Sequence, residues 1–438
     1  MPTPRRMKLI AYLKTGPSAG HSGGWRHPSA ALDDIFEPSR YEHIARVLEA
    51  ACFDAGFFAD TFGLGDTFGG SYDTYLRLGG QTSYLDPMAV LPLMARVTNH
   101  LGLGATLSTT FNTPYWIART LASLDHLSKG RICWNVVTSA TEMEARNFGF
   151  DALPSKSERY DRADEVLEAC CTLWDGWQPD PFVLDREKGI FIDPTKVARA
   201  DYVGRYVSTR GPLTIPRSPQ GRPVFLQAGA SDRGREFAAR WAEAIFTESY
   251  SKADAQAFYA DIKSRMAAYG RPPEHCAVLP LMSVVLGETE SIAREKAAYL
   301  DTLVSDELQL AITSQLVGVD LSRGIESEAA VVDELSRGNH GIEGERAHVA
   351  QVAKAAGVSF AAAAKRPYEM IVGTPDLVAD HMEDWFLGGG ADGFILMPTV
   401  FPIMFEEFGR LVVPILQRRG LFRTSYQGAT LRDNLRSP

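Results

Sequence analysis

Short apolar runs alternate with amphipathic stretches along almost the whole chain. The run MKLIAYL at residues 7–13 predicts a strand, and residues 41–51 predict a helix, with Ile44, Val47, Leu48 and Ala51 at helical spacing. Residues 56–60, 101–108, 132–139, 224–229, 243–246, 277–286 and 393–397 continue the strand series. Helical patterns cover 115–127, 160–174 and 405–418. That makes about eight β-then-α units, the number a closed (β/α)8 barrel needs. The strands read as near-continuous apolar runs, as parallel strands covered on both faces must. A doubly wound sheet is the rival, but it usually carries a glycine-rich turn after its first strand, and Leu13-Lys14-Thr15-Gly16 is not one. Two segments interrupt the rhythm: 182–216 reads as a β-hairpin excursion, and 305–367 as a helical insertion or lid before the last unit. The whole chain, 1–438, reads as one barrel domain with these two additions.

Composition narrows the class. The chain has 438 residues, 45 Lys+Arg against 54 Asp+Glu, and a net charge of −9 without a basic block, which argues against nucleic acid as partner. No apolar run is long enough to span a bilayer, and the start lacks a signal-type apolar stretch. Five scattered cysteines include no Cys-x-x-Cys, so neither a zinc ribbon nor a disulfide framework is expected. The expectation is a soluble, cytoplasmic protein.

In a barrel the chemistry gathers where strand C-termini meet their loops. Those ends carry Tyr12; Phe57, Phe58 and Asp60; Thr106 and Ser108; Asn135, Thr138 and Ser139; Gly229 and Ser231; and Phe246. His21, Trp25, Arg26 and His27 lie in the first loop. Aromatics, hydroxyls and an amide with few charges suit a flat heterocycle better than a metal cage. The stretch Gln227 to Gly234 runs from a strand through small residues into a helix start, where backbone N–H groups and the Ser231 hydroxyl can receive a phosphate. Ser231 fits a plain N-cap equally well.

Other motifs fail on context. Gly388 to Gly393 matches G-x-G-x-x-G, but a helix precedes it and a strand follows, so it reads as a helix end and turn. No H-x-H or H-E-x-x-H spacing supports a metal site, and Cys170–Cys171 lie within a helix as packing residues.

The stretches Gly24-Trp-Arg-His27, Phe58-Ala-Asp60, Leu101 to Thr106, Trp134 to Ala140, Glu144 to Gly149, Arg159 to Glu165, Arg210-Gly-Pro-Leu213, Pro216 to Gly221, Gln227-Ala-Gly229 and Phe422 to Asp433 together resemble a known family. It is the nitrilotriacetate monooxygenase component A and dibenzothiophene-sulfone monooxygenase family, within the bacterial-luciferase-like flavin enzymes. The resemblance spans nearly the whole chain and is weakest over 305–367. It implies a barrel that uses reduced FMN, delivered by a separate NAD(P)H:flavin reductase, and O2 to oxygenate a small organic substrate. The bond cleaved would be C–S or C–N. It also implies cofactor contacts at Asp60, Thr106, Asn135, Ser139, Tyr160, Gly229 and Ser231, and substrate contacts at Tyr12, Trp25, Phe57 and Phe246. His21, Asp60 and Ser139 are the candidate catalytic residues; no metal is expected, and a homodimer or homotetramer is. Lys14 and Arg26 are candidate receivers of an anionic group, Phe58 and Phe111 of an apolar ring. His340 and His348 are candidate contributions of the insertion, and Trp385–Phe386 a candidate dimer face. Two other functions fit the same residues: a hydride-transfer oxidoreductase with flavin or deazaflavin, and a flavin-binding protein without catalysis.

Overall fold

The structure, a computed structural model, describes residues 5–17, 20–229, 231–248, 251–324, 341–365 and 370–437. Eight parallel strands close into a barrel: β1 (Lys8–Leu13), β2 (Ala55–Phe58), β3 (Gly102–Ser108), β4 (Ile132–Val137), β5 (Val224–Ala228), β6 (Ala244–Thr247), β7 (Ala277–Met282) and β8 (Gly393–Leu396). Each pairs with the next in sequence, and β8 pairs with β1. Alternating side chains divide inside from outside. Ile10, Phe57, Cys133, Leu226, Leu279 and Ile395 pack together within the barrel, while Leu9, Leu13, Phe58, Leu103 and Trp134 join the layer beneath the helices.

The helices begin where their sequences provide caps. Ser155 and Glu158 form a capping box at the start of Lys156–Asp175, whose buried face includes Tyr160, Ala163, Val166, Leu167 and Cys170. Pro114 opens Pro114–Leu127, at a position whose N–H has no intrahelical partner anyway. The C-terminal helix Leu431–Arg436 sends Leu431 and Leu435 into the interior cluster. The Leu431 N–H donates to Gly130 O at 3.0 Å, just before β4. The tail therefore plugs the N-terminal end of the barrel and leaves the opposite end for chemistry.

Three sequence expectations change. Residues 277–286 are not one strand: after Ser283 the chain leaves the barrel, and Val284–Leu286 pairs with Ile371–Gly373 in a separate two-stranded sheet. The helix expected over 405–418 is two, Ile403–Leu411 and Val413–Arg418, because Pro414 has no N–H to continue the first. The excursion holds two hairpins, Phe182–Asp185 with Ile190–Ile192 and Tyr202–Val203 with Ser208–Thr209. Within the insertion the described residues form helices Asp306–Val317, Glu343–Ala356 and Phe360–Ala364. No helix among the described residues is long and apolar enough to cross a membrane.

Candidate active site

The C-terminal mouth of the barrel gathers much of the sequence-predicted set. Tyr12, Phe57 and Phe246 form an aromatic row, with ring centroids 5.4 Å apart for Tyr12–Phe57 and 5.7 Å for Phe57–Phe246. Beside it, Thr106 Oγ1 donates to Phe58 O at 2.8 Å and accepts from Asn135 Nδ2 at 2.8 Å. Both Thr106 and Asn135 are buried, and Asn135 Oδ1 is left without a hydrogen-bond partner. A buried orphan acceptor is costly, so this oxygen suits the N–H of a bound ring.

On the β5 side, Ser231 caps the helix Asp232–Trp241, its Oγ accepting from Gly234 N at 3.2 Å. Its hydroxyl also meets that of Tyr160, which burial pushes above the ordinary phenol range. Gly229 and Gly234 lie back to back. A Cβ on Gly234 would stand 2.9 Å from Tyr160 Oη, and one on Gly229 would stand 2.4 Å from Gln227 Nε2. Two hydroxyls thus meet at a helix N-terminus, where Gly229 and Gly234 bring two stretches of backbone into close contact, a donor set suited to an anion. Arg233 leans over the Tyr160 ring, 5.4 Å from its centroid, and is held by Asp161 and Asp164.

Asp60 follows β2. Its Oδ1 accepts from Thr61 N at 2.9 Å, and burial raises its carboxyl to about 6. Lys14 is lowered to about 8 by burial, partly offset by Asp60, and donates to Gln81 O at 2.7 Å. Ser139 lies beyond the end of β4 with φ of 57°, a strained value for a residue with a Cβ. Its Oγ is 3.0 Å from Ser108 Oγ and 3.3 Å from Glu144 Oε1.

His21 lies apart from these groups. Its side chain is 2% exposed, its Nδ1 accepts from Gly23 N at 3.2 Å, and its Nε2 has no hydrogen-bond partner, with Asp301 Oδ1 at 3.9 Å. Burial lowers its pKa, so the ring is neutral. It lines a cavity with Ser283, Gln309 and Met397, on the β1, β7 and β8 side of the mouth. Trp25 is turned against Gly79 and donates to Leu78 O at 3.0 Å, outside the aromatic row.

Several expectations are corrected. Phe58 faces outward toward Tyr41, at 6.1 Å between ring centroids, because its neighbour Phe57 takes the inward position. Phe386 is buried core, packed beneath Arg5. Arg26 is exposed, and its Nη1 donates to Leu303 O at 2.8 Å. Phe111 joins Phe62, Phe148 and Phe150 in a cluster built from three rim loops. His348 is on Glu343–Ala356, and His340 lies outside the described residues.

Sequence reasoning missed Tyr75, Glu248 and Glu345, which with Tyr12 share one electrostatic neighbourhood at the mouth. Burial raises the Tyr12 phenol first, and the two carboxylates and Tyr75 add to it. Glu248 directly follows β6, a strand-end signal that was available. Glu345 sits on an insertion helix that offered none.

A closed (β/α)8 barrel with an aromatic row, an orphaned amide oxygen and a helix start flanked by two hydroxyls at its C-terminal mouth is the architecture of the barrel enzymes, whose chemistry gathers at that end. The luciferase-like monooxygenase family model matches residues 14–392. The chain is 42% identical to dibenzothiophene-sulfone monooxygenase of Rhodococcus erythropolis, over 98% of this chain and 96% of the relative. It is 39% identical to nitrilotriacetate monooxygenase component A of Aminobacter aminovorans, over 95% and 94%. A crystal structure of riboflavin lyase with modified FMN and riboflavin superposes with a TM-score of 0.90 at 31% identity, covering 99% of this chain and 96% of that one. The protein belongs to the luciferase-like monooxygenases and is a flavin-dependent oxidoreductase.

Proposed function

We propose that this protein is the oxygenase component of a two-component system, taking reduced FMN from a separate NAD(P)H:flavin reductase and using O2 to oxygenate a small organic molecule, with cleavage of a C–S or C–N bond. The observation that carries this reading is the meeting of the Ser231 and Tyr160 hydroxyls at the start of the helix Asp232–Trp241. In support, one relative is named as a component and another as acting on a sulfone.

Bound reduced FMN supplies the electrons that activate O2. The chain's own residues would do the rest. Ser231, Tyr160 and the helix N-terminus would hold the phosphate. Thr106 fixes the Asn135 amide so that Oδ1 accepts from the ring, and Ser139, tied to Ser108, shapes the adjoining wall. Tyr12, Phe57 and Phe246 exclude water from the reacting face. Asp60 is the group that holds or releases a proton near neutral pH, because burial has raised it to about 6. Trp25 closes the rim by packing on Gly79. A reducing, cytoplasmic setting fits five thiols that are all free, and the reading includes a homo-oligomer.

The test is reconstitution: protein, FMN, NADH, a flavin reductase and O2, with a sulfone or an aminopolycarboxylate as substrate. Product should form only when every part is present. Turnover that persists without oxygen would replace this reading by hydride transfer, and FMN binding without any product would reduce it to a flavin carrier.

A further inference from the structure

The excursion between the helix Lys156–Asp175 and β5 leaves the barrel where a helix finishes and a strand begins, the end opposite the mouth. Its root is firmly held. Trp177 is buried, and its Nε1 donates to Leu213 O at 2.9 Å. Backbone bonds from Ala198 N to Gly176 O at 2.8 Å, Gln178 N to Lys196 O at 2.9 Å and Asp193 N to Pro181 O at 2.9 Å join the two limbs. Beyond Pro181 the hairpin Phe182–Asp185 with Ile190–Ile192 pairs with no other strand among the described residues. Phe182, Val183, Leu184, Ile190 and Phe191 are all exposed. The Phe182 and Phe191 rings meet edge to face at 5.7 Å between centroids and still stay 44% and 65% exposed, so the hairpin does not cover its own apolar surface. A two-stranded ribbon is marginal in water unless something packs on it. A contiguous apolar patch on an anchored element marks an interaction surface.

Charge selects the occupant. The chain carries −9 overall, so two copies repel over most of their surface. At the hairpin tip, Asp185 and Glu187 are balanced by Arg186 and Lys188. Lys188 pairs with Asp185 of its own turn at 3.4 Å, whereas Arg186 and Glu187 are exposed and form no ion pair among the described residues. One unpaired charge of each sign, side by side, is self-complementary about a two-fold axis. A membrane surface would favour an excess of cations, which this tip lacks.

We infer that the hairpin is the interface with a second copy of this chain. The two ribbons pack face to face about a two-fold axis along their length, burying the Phe182 and Phe191 rings and setting Arg186 of each copy against Glu187 of the other. This specifies the surface of the homo-oligomer in the reading above and is independent of its flavin chemistry.

The experiment measures the mass of the full chain by sedimentation, together with FMN binding. The wild type should sediment as an oligomer. Phe191→Ser should halve its mass and raise the dissociation constant at least tenfold, the loss of one aromatic anchor. FMN binding should not change, because the hairpin is at the other end of the barrel. Leu184→Asn, which suits the φ of 53° at that residue, serves should the first variant fold poorly. Arg186→Glu and Glu187→Arg should each weaken the interface about tenfold when alone. An equimolar mixture of the two should recover the wild-type mass, because the mixed pair sets two acids against two bases. A monomeric wild type, anchor variants of wild-type mass, or a mixture that stays at the lower mass would overturn the interface. Failure of the wild type to bind FMN would strike the flavin reading and leave this one standing.

Discussion

Asn135 and Thr106 face each other across β4 and β3, and the 2.8 Å bond from Asn135 Nδ2 to Thr106 Oγ1 turns the amide oxygen into the barrel with no partner. An arrangement that costs stability in the free protein is the kind that binding repays. Asn135→Leu should therefore fold with a stability within about 1 kcal/mol of wild type while binding FMN about tenfold more weakly. Urea unfolding and flavin titration on the same preparation check both halves. Unaltered FMN affinity would remove Asn135 from the site.

At the other end of the proposed cofactor, Ser231→Ala and Gly234→Ala separate phosphate recognition from ring recognition. Loss of the cap should cost about 1 kcal/mol of stability. Both variants should weaken FMN at least tenfold, since a charge-assisted bond is lost in one and the new Cβ displaces the Tyr160 hydroxyl in the other. Riboflavin, which has no phosphate, should bind them as it binds wild type. Parallel losses for FMN and riboflavin would contradict the assignment.

Asp60 gives a pH signature. Its carboxyl is raised from the ordinary 3.8 to about 6, so between those values the folded protein keeps a proton that the unfolded chain has released. The stability associated with this group is complete below the lower value and is lost as pH rises through about 6. Asp60→Asn should abolish that component of the decline, read as the change in urea midpoint between about pH 4.5 and about pH 7. An identical pH dependence in the variant would show that Asp60 titrates normally.

The barrel floor makes a stability prediction independent of function. Asp54 is fully buried, accepts from Leu9 N at 2.8 Å and is paired with Arg423 of the C-terminal tail. Arg423→Met leaves that carboxylate without its counter-charge and should cost about 3–5 kcal/mol in chemical denaturation. Adding Asp54→Asn should recover part of the loss. A single variant as stable as wild type would show that the pair does not anchor the tail.

The barrel was legible because its strands are buried on both faces and so stand out as continuous apolar runs, even four residues long as in β2 and β8. The same logic exposed Thr106, Asn135 and Phe246, whose strand positions alone bring them to the mouth. It failed for Phe58, where two neighbouring phenylalanines must point to opposite sides of the sheet. The three-residue strand Ile371–Gly373 is too short to show a period, and Ser283 gives no local sign that the chain leaves the barrel there. Gln309 and Glu345 belong to helices whose place over the mouth is set by tertiary packing, so nothing in their own segments marked them.

The central claim is that the barrel mouth holds the mononucleotide with its phosphate at the start of Asp232–Trp241 and its ring against Thr106 and Asn135. A crystal structure of the protein with FMN bound tests it most directly. The account predicts the phosphate within hydrogen-bond reach of Ser231 and Tyr160 and a ring N–H on Asn135 Oδ1. FMN seated elsewhere, or with its phosphate at another helix start, would contradict it.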